Sequence, residues 1–354
     1  MSPKDFKILD RKIGSSYPPY VIAELSANHN GTIDRAKEIM EAAAKAGADA
    51  VKLQTYTADT ITIDHDGPDF RIEGGLWSGK SLYELYDEAH TPWSWHKPLF
   101  DYGRSLGITV FSTPFDDTAV DFLEDLGAPA YKIASFEVVD IPLIKKVAST
   151  GKPIIISTGL ASLTEIAEAV EAAQTKNSPV ALLHCISAYP APVEDANLAT
   201  IADLARRFNL CIGLSDHTLG TTVSVAAVAM GANILEKHVT LQRADGGPDS
   251  AFSLEPHELK RLVDDVRVSW ASRGKVNYEI EKSEKENLRF RRSIYVVRAM
   301  KAGEVFTSET IRTIRPGFGL PPKEMDGILG RKAAKDLPRG TALTRADIDK
   351  EDAE

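Results

Sequence analysis

The stretch "CIGLSDHTLG" (residues 211–220) and, a little further on, "NILEKH" (233–238) share one design. Each is a short apolar run of strand character that breaks into polar residues and stops on a histidine, His217 in the first and His238 in the second. A structural histidine needs no such repetition, whereas a shared cation does. Six runs upstream have the same strand character: "YVIAEL" (20–25), "DAVKLQ" (49–54), "ITVFST" (108–113), "AYKIAS" (130–135), "PIIIST" (153–158) and "VALLHC" (180–185). Amphipathic runs such as "IDRAKEIMEAAAKAG" and "LTEIAEAVEAAQTK" lie between them, and "EPHELKRLVDDVRVSWASR" follows the last. Eight strands, mostly apolar on both faces and each followed by a helix, predict an α/β fold of the closed (β/α)8, or TIM-barrel, type. An open doubly wound sheet is the alternative, but the fingerprint G-x-G-x-x-G is absent and the strand count fits a closed barrel better.

The chain has 354 residues, long enough for one large domain and a small accessory one. Past residue 283 the strand–helix alternation gives way to Gly/Pro-punctuated sequence, which places a barrel at 1–283 and a small β-rich domain at 284–354. Within the latter, "AGEVFTSETI" (302–311) and "RGTALTRADI" (339–348) form a weak repeat, read as a glycine turn, a threonine cap and a helical turn. One connection, residues 55–91, is much longer than the rest, and long loops on a barrel shape or cover the site.

Asp plus Glu (51) exceeds Lys plus Arg (42), a net charge of -9 that argues against nucleic-acid or membrane-surface partners, since both demand a basic face. The two cysteines, Cys185 and Cys211, sit in apolar runs and read as small buried hydrophobes. The N-terminal "MSPKDFKILD" is polar with no signal-type apolar core, and no run approaches a membrane span, so a cytoplasmic location is expected.

In a barrel the chemistry belongs at the C-terminal ends of the strands. Here those ends carry Glu24, Lys52 and Gln54, Thr113, Lys132 and Ser135, Ser157, Ser215 with His217, and His238, with Tyr189 just beyond strand six. Neighbouring strands lie about 4.8 Å apart, so His217 and His238 can face one cation. Without a competing thiolate that ion is a hard or borderline one, Mn²⁺ foremost. Two hydrogen-bonded structural imidazoles are the other reading. Lys52 and Lys132 lie inside apolar strands, where an unpaired ammonium is costly, so they require an anion. With the nearby hydroxyls they form a cradle for phosphate and carboxylate; a Schiff-base lysine is the competing possibility. Lys237 alternates with Glu236 and His238 and is expected to face the helices.

"AELSANHNG", "GADAVKLQTY", "FSTPFD", "YKIASFE", "ISTGLAS", "GLSDHTLG", "EKHVTL" and "GPDSAFSLEP" together resemble the sialic acid synthase family, and "IRPGFGLPP" is similar to the signature of its antifreeze-like (SAF) C-terminal module. "LWSGKSLYELYDEAHTPWSWHKPLF" and "YKIASFEVVD" look like the pseudaminic acid synthase branch. Phe136, and Ser187 on strand six, depart from the N-acetylneuraminate branch. An apolar face at Phe136 suits a methyl-bearing deoxy sugar better than a hydroxymethyl.

The resemblance implies a condensation of phosphoenolpyruvate with 2,4-diacetamido-2,4,6-trideoxy-L-altrose. Lys52, Thr113, Lys132, Ser135, Ser157, Ser187 and Ser215 would bind phosphoenolpyruvate. Gln54, Tyr189, Asp249 and Arg315 would contact the sugar, and His217 and His238 would hold the metal, Mn²⁺ with Mg²⁺ or Co²⁺ as alternatives. Arg315 would act across a domain-swapped homodimer. Glu24 would move protons or orient its neighbours. A Schiff-base lyase, a metal-dependent sugar-phosphate aldolase and a non-catalytic sugar-binding protein are the rivals.

Overall fold

The computed structural model describes residues 5–349, which divide into two compact units, one ending at Gly274 and one starting at Lys275. This is nine residues before the boundary expected after residue 283. The helix Pro256–Arg273 ends at Gly274, and no strand or helix of the barrel follows it.

The first unit opens with a hairpin, β1 (Phe6–Ile8) and β2 (Arg11–Ile13), which the sequence reading missed because three-residue strands are too short to show a period. Eight parallel strands follow: β3 (Tyr20–Glu24), β4 (Ala50–Thr55), β5 (Thr109–Pro114), β6 (Tyr131–Ile133), β7 (Ile154–Ser157), β8 (Val180–Cys185), β9 (Cys211–Asp216) and β10 (Ile234–His238). They close into a barrel, β10 pairing with β3, as the eight runs predict. The first barrel helix, Ile33–Ala46, begins where Thr32 accepts a hydrogen bond from the Arg35 amide. It ends at Gly47, whose φ of 86° favours glycine, and buries Ala36, Ile39, Met40 and Ala43.

Side chains alternate inward and outward along each strand, and this period positions the site. Ile22, Ala50, Phe111, Ala130, Ile155, Leu183 and Ile234 form an apolar layer inside the barrel. Ile8 and Ile13 of the hairpin join that layer, each burial contributing about 1.5–3 kcal/mol. Two residues further along the same strands, the next inward positions are Glu24, Lys52, Thr113, Lys132, Ser157, Cys185 and Glu236. On β9 the inward Gly213 intervenes before Ser215. A Cβ at Gly213 would stand 2.3 Å from the Ile234 carbonyl oxygen, so no other residue fits without a shift.

The outward side chains serve the helices. Lys237 pairs with Asp216 at 3.0 Å and donates to the Thr218 carbonyl, and Ser224 donates to Asp216 at 2.6 Å. Lys237 thus stands outside the site, as expected. No helix among the described residues is long and apolar enough to cross a membrane.

In the second unit, β11 (Ser293–Val296) pairs antiparallel with β12 (Ile311–Ile314) over a core including Ile294, Phe306, Ile328, Leu337 and Leu343. The weak repeat is present as turns at Gly303 and Gly340, both at positive φ. Its second copy forms a single helical turn, Arg345–Asp347, capped by Thr344.

Candidate active site

Two buried ammonium groups face one carboxylate at the centre of the barrel mouth. Lys52 Nζ lies 2.8 Å from Glu24 Oε2 and donates to Thr113 Oγ1 at 3.0 Å. Lys132 Nζ donates to Ser157 Oγ at 2.7 Å and to the Ile133 carbonyl at 3.1 Å. Glu236 Oε1 stands 3.8 Å from Lys52 Nζ and 3.7 Å from Lys132 Nζ, and accepts from Ser215 Oγ at 3.1 Å. The sequence reading placed Glu236 at a strand end without a role. Its position two residues before His238, hence on the same strand face, is the signal that could have found it.

Burial penalises every charge here, and the partners decide who keeps one. Burial weighs against Glu236, but the two lysines outweigh it and hold its carboxyl below the ordinary range. Glu24 meets Lys52 alone, so burial wins and lifts it to about 7. Burial lowers Lys132, whereas Glu236 and Glu24 together hold Lys52 above its usual value. Glu137, a residue not picked out from sequence, is also lifted to about 7 by burial against the opposing charge of Lys132. The mouth therefore holds carboxyls that can exchange a proton near neutrality beside groups whose charge is fixed.

A polar chain climbs one wall. Gln54 Nε2 donates to Glu24 Oε1 at 3.0 Å and reaches Ser26 Oγ at 3.4 Å, and Ser26 Oγ donates to Asp249 Oδ2. Asp249 Oδ2 lies 3.9 Å from His238 Nδ1. Ser26, at a positive φ of 48°, links the expected sugar residues Gln54 and Asp249 and was not anticipated. An aromatic wall adjoins this chain at His238: the Tyr189 ring lies 4.3 Å from that of His217 and 5.3 Å from Phe252, which is 4.9 Å from His238.

The two histidine rings are 5.4 Å apart. His217 Nδ1 faces the Ile186 carbonyl at 2.9 Å, which can only accept, so Nδ1 carries hydrogen and Nε2 is the atom open to a ligand. His238 is held neutral, well below the usual histidine range, by burial and by the neighbouring His217 and lysine charges, and its buried Nδ1 has no hydrogen-bond partner. Two nitrogens so placed fit a divalent cation whose other ligands are water or substrate. Among the described residues no group of three or more His, Cys, Asp or Glu side chains could hold one alone.

Ser135, Ser187 and Gly159 complete the cradle. The Gly159 amide donates to Ser135 Oγ at 3.2 Å, and Cys185 Sγ approaches Ser187 Oγ at 3.9 Å and His217 Nδ1 at 3.8 Å. Cys185 is buried as expected, but it faces the site. Of the expected site residues, Arg315 alone lies in the second unit. It is exposed, and its guanidinium has no ion-pair or hydrogen-bond partner among the described residues.

The profile of the NeuB family matches residues 39–278, and that of the SAF domain matches 291–349. The chain belongs to the NeuB family. Among NeuB relatives, the pseudaminic acid synthase of Campylobacter jejuni is 43% identical, covering 93% of this chain and 96% of its own. The N,N'-diacetyllegionaminic acid synthase of Legionella pneumophila is 37% identical over 93% of this chain and 94% of its own. Among solved structures, the N-acetylneuraminic acid synthetase of Leptospira borgpetersenii, bound to citrate, is 33% identical with a TM-score of 0.74. That match covers 82% of this chain and 96% of the other. The sialic acid synthase resemblance, the barrel and the SAF domain expected from sequence are thereby established.

Gly159 offers a direct test of whether the Ser135 and Ser187 hydroxyls form an anion cradle. A Cβ at that position would stand 2.2 Å from Ser187 Oγ and 2.7 Å from Ser135 Oγ. Gly159→Ala is expected to raise KM for phosphoenolpyruvate roughly ten- to a hundredfold, because ångström-scale misplacement of binding groups is costly, while the thermal midpoint moves little. An unchanged KM would place these hydroxyls outside the anion site.

Proposed function

We propose that the chain condenses phosphoenolpyruvate with 2,4-diacetamido-2,4,6-trideoxy-L-altrose and water, giving pseudaminic acid and phosphate in the cytoplasm. The observation that carries this reading is the layering of the mouth. A floor with two ammoniums, which suits a phosphate and a carboxylate, lies beneath an aromatic wall that suits an apolar sugar edge. Identity to a pseudaminic acid synthase, higher than to the legionaminic enzyme, supports the choice of sugar. Phe136, 58% exposed beyond β6, offers the apolar face that a methyl group prefers.

The chemistry joins C3 of phosphoenolpyruvate to the aldehyde carbon of the open sugar. Water then adds at C2, and the resulting tetrahedral centre collapses with C–O cleavage to release phosphate. Lys52 and Lys132 stabilise the charge on the departing phosphate from fixed positions, and Ser157 and Thr113 keep both ammoniums aimed inward. Glu236 opposes the effect of burial at both lysines and, with Glu24, holds Lys52 above its usual value. Glu24, with its carboxyl near neutrality, takes the proton of the adding water or returns one to the new hydroxyl. A divalent cation, Mn²⁺ with Mg²⁺ or Co²⁺ as alternatives, bound by His217 and His238 would supply Lewis-acid polarisation of the aldehyde.

The working form in this reading is a homodimer in which Arg315 of one subunit meets the sugar of the other. Its support is an exposed apolar rim on loops that follow consecutive barrel strands: Phe136 and Val139, Leu160, Val193 and Leu219. The unpartnered guanidinium of Arg315 adds to it.

The deciding experiment is phosphate release from phosphoenolpyruvate by chelator-stripped protein with Mn²⁺ or Mg²⁺ restored. The altrose, its D-manno counterpart and N-acetylmannosamine are supplied in parallel. Release with the altrose alone is expected. Release only with another sugar would keep the condensation and replace the substrate by that of a legionaminate or N-acetylneuraminate synthase. No release from folded, metal-supplied protein would overturn the condensation and return the lysines to Schiff-base chemistry.

A further inference from the structure

The long connection after β4 carries a short hairpin-like flap. Arg71 bridges Ser81 antiparallel, the Ile72 amide donates to the Lys80 carbonyl, and the Gly79 amide donates to the Ile72 carbonyl, each at 3.0 Å. Its tip, "GGLWSG" (74–79), is solvent-exposed apart from one side chain, Trp77. The indole Nε1 donates to the Pro248 carbonyl at 2.9 Å, and its ring lies 5.6 Å from that of Tyr189. Pro248 precedes Asp249, so both contacts of Trp77 are with the two elements that shape the upper wall of the site.

Glycines at positive φ flank this anchor: Gly74 at 79°, Gly75 at 72° and Gly79 at 94°. A Cβ at any of them would meet nothing within 4 Å, so the glycines are there for backbone conformation and not for space. A tip bent by glycines and held to the upper wall through one side chain, by a single hydrogen bond and a single ring contact, can lift by giving up those two contacts. When it is down, the indole continues the aromatic wall of Tyr189 and Phe252 outward over the mouth.

The geometry points to Trp77 as a specificity-determining residue, the outer apolar wall of the sugar subsite carried on a flap that closes over the bound sugar. This rests on the synthase reading above and deepens it. Phosphoenolpyruvate, held on the lysine floor, lies beneath the sugar and out of reach of the indole. Trp77 therefore serves one substrate and not the other. Loss of one apolar wall in a binding site is worth roughly ten- to a hundredfold.

The test is steady-state kinetics of Trp77→Ala and Trp77→Phe, each substrate varied in turn, with thermal unfolding as the fold control. Trp77→Ala is expected to raise KM for the sugar roughly ten- to a hundredfold and leave KM for phosphoenolpyruvate within about twofold. It should also narrow the preference for the deoxy sugar over N-acetylmannosamine. Trp77→Phe, which keeps an aromatic face but loses the hydrogen bond to Pro248, is expected to recover most of the sugar KM.

Should the alanine variant fail to fold, Gly75→Ala serves in its place. It strains the flap without touching the wall and is expected to shift the sugar KM alone. Equal changes in both KM values, or none, would overturn the assignment with the synthase activity of the native protein intact. Absence of turnover by the native protein with any sugar would instead remove the synthase reading, and this inference with it.

Discussion

Lys132→Met is expected to lower kcat/KM for phosphoenolpyruvate by about a thousandfold or more. Removing one pre-aimed donor from a site that stabilises developing anionic charge costs about 10²–10³ in rate, and here the donor also carries a full charge. The substitution changes the surroundings too. Glu236 faces both lysines, and its Oε2 is buried without a hydrogen-bond partner. Without Lys132 a trianionic substrate would meet that carboxylate with only Lys52 to offset it. Methionine keeps the length of the side chain, so the fold should persist, as circular dichroism and thermal unfolding would verify. Calorimetric titration with phosphoenolpyruvate should show binding weakened along with turnover. Retention of activity within tenfold would remove Lys132 from the anion cradle. Covalent trapping of the native protein by borohydride in the presence of substrate would make a lysine the nucleophile instead.

His238→Ala should abolish calorimetrically detectable Mn²⁺ binding and reduce turnover by at least about 10³, the scale on which catalytic metals stabilise charge. Treatment of the native protein with a chelator should reproduce the loss, and added Mn²⁺ should reverse it only in the native protein. His238 suits this test because its imidazole is neutral and its Nδ1 has no hydrogen-bond partner, so its removal breaks no hydrogen bond at that atom. His217 sets the pH dependence. Burial disfavours its charge, but Cys185 and the Ile186 carbonyl outweigh burial and hold it above the usual histidine value. A cation must therefore displace a proton there, and Mn²⁺ affinity is expected to weaken on going from pH 8 to pH 6. Full activity in the chelated protein, or in His238→Ala, would return the pair to a purely structural role.

Much of the site was visible in the strand pattern because a parallel barrel imposes one rule on all its strands. Inward positions recur every second residue, and the mouth begins where apolar residues give out, so Glu24, Lys52, Lys132, Ser157 and the two histidines could be read one strand at a time. Glu236 was missed although it obeys the same rule. A carboxylate beside two histidines draws no notice until the lysines of distant strands are seen to converge on it. Ser26, Gly159 and Trp77 lie beyond the strand ends, where no period operates and position depends on the path of a loop. Gly159 in particular is legible only as missing volume between two hydroxyls contributed by other loops.

The order of the eight barrel strands, the closed barrel and the inward-facing lysines and histidines were determined by the sequence alone, since periodicity and burial are local properties of a strand, whereas several strand ends moved by one or two residues. Which carboxylate keeps its charge and which exchanges a proton near neutrality was decided only by the tertiary structure. Glu24 and Glu236 are the same residue type, both fully buried on neighbouring strands. One meets a single ammonium and the other meets two, and Coulomb energy in a dry site depends on distances set by the whole barrel and not by any segment of it.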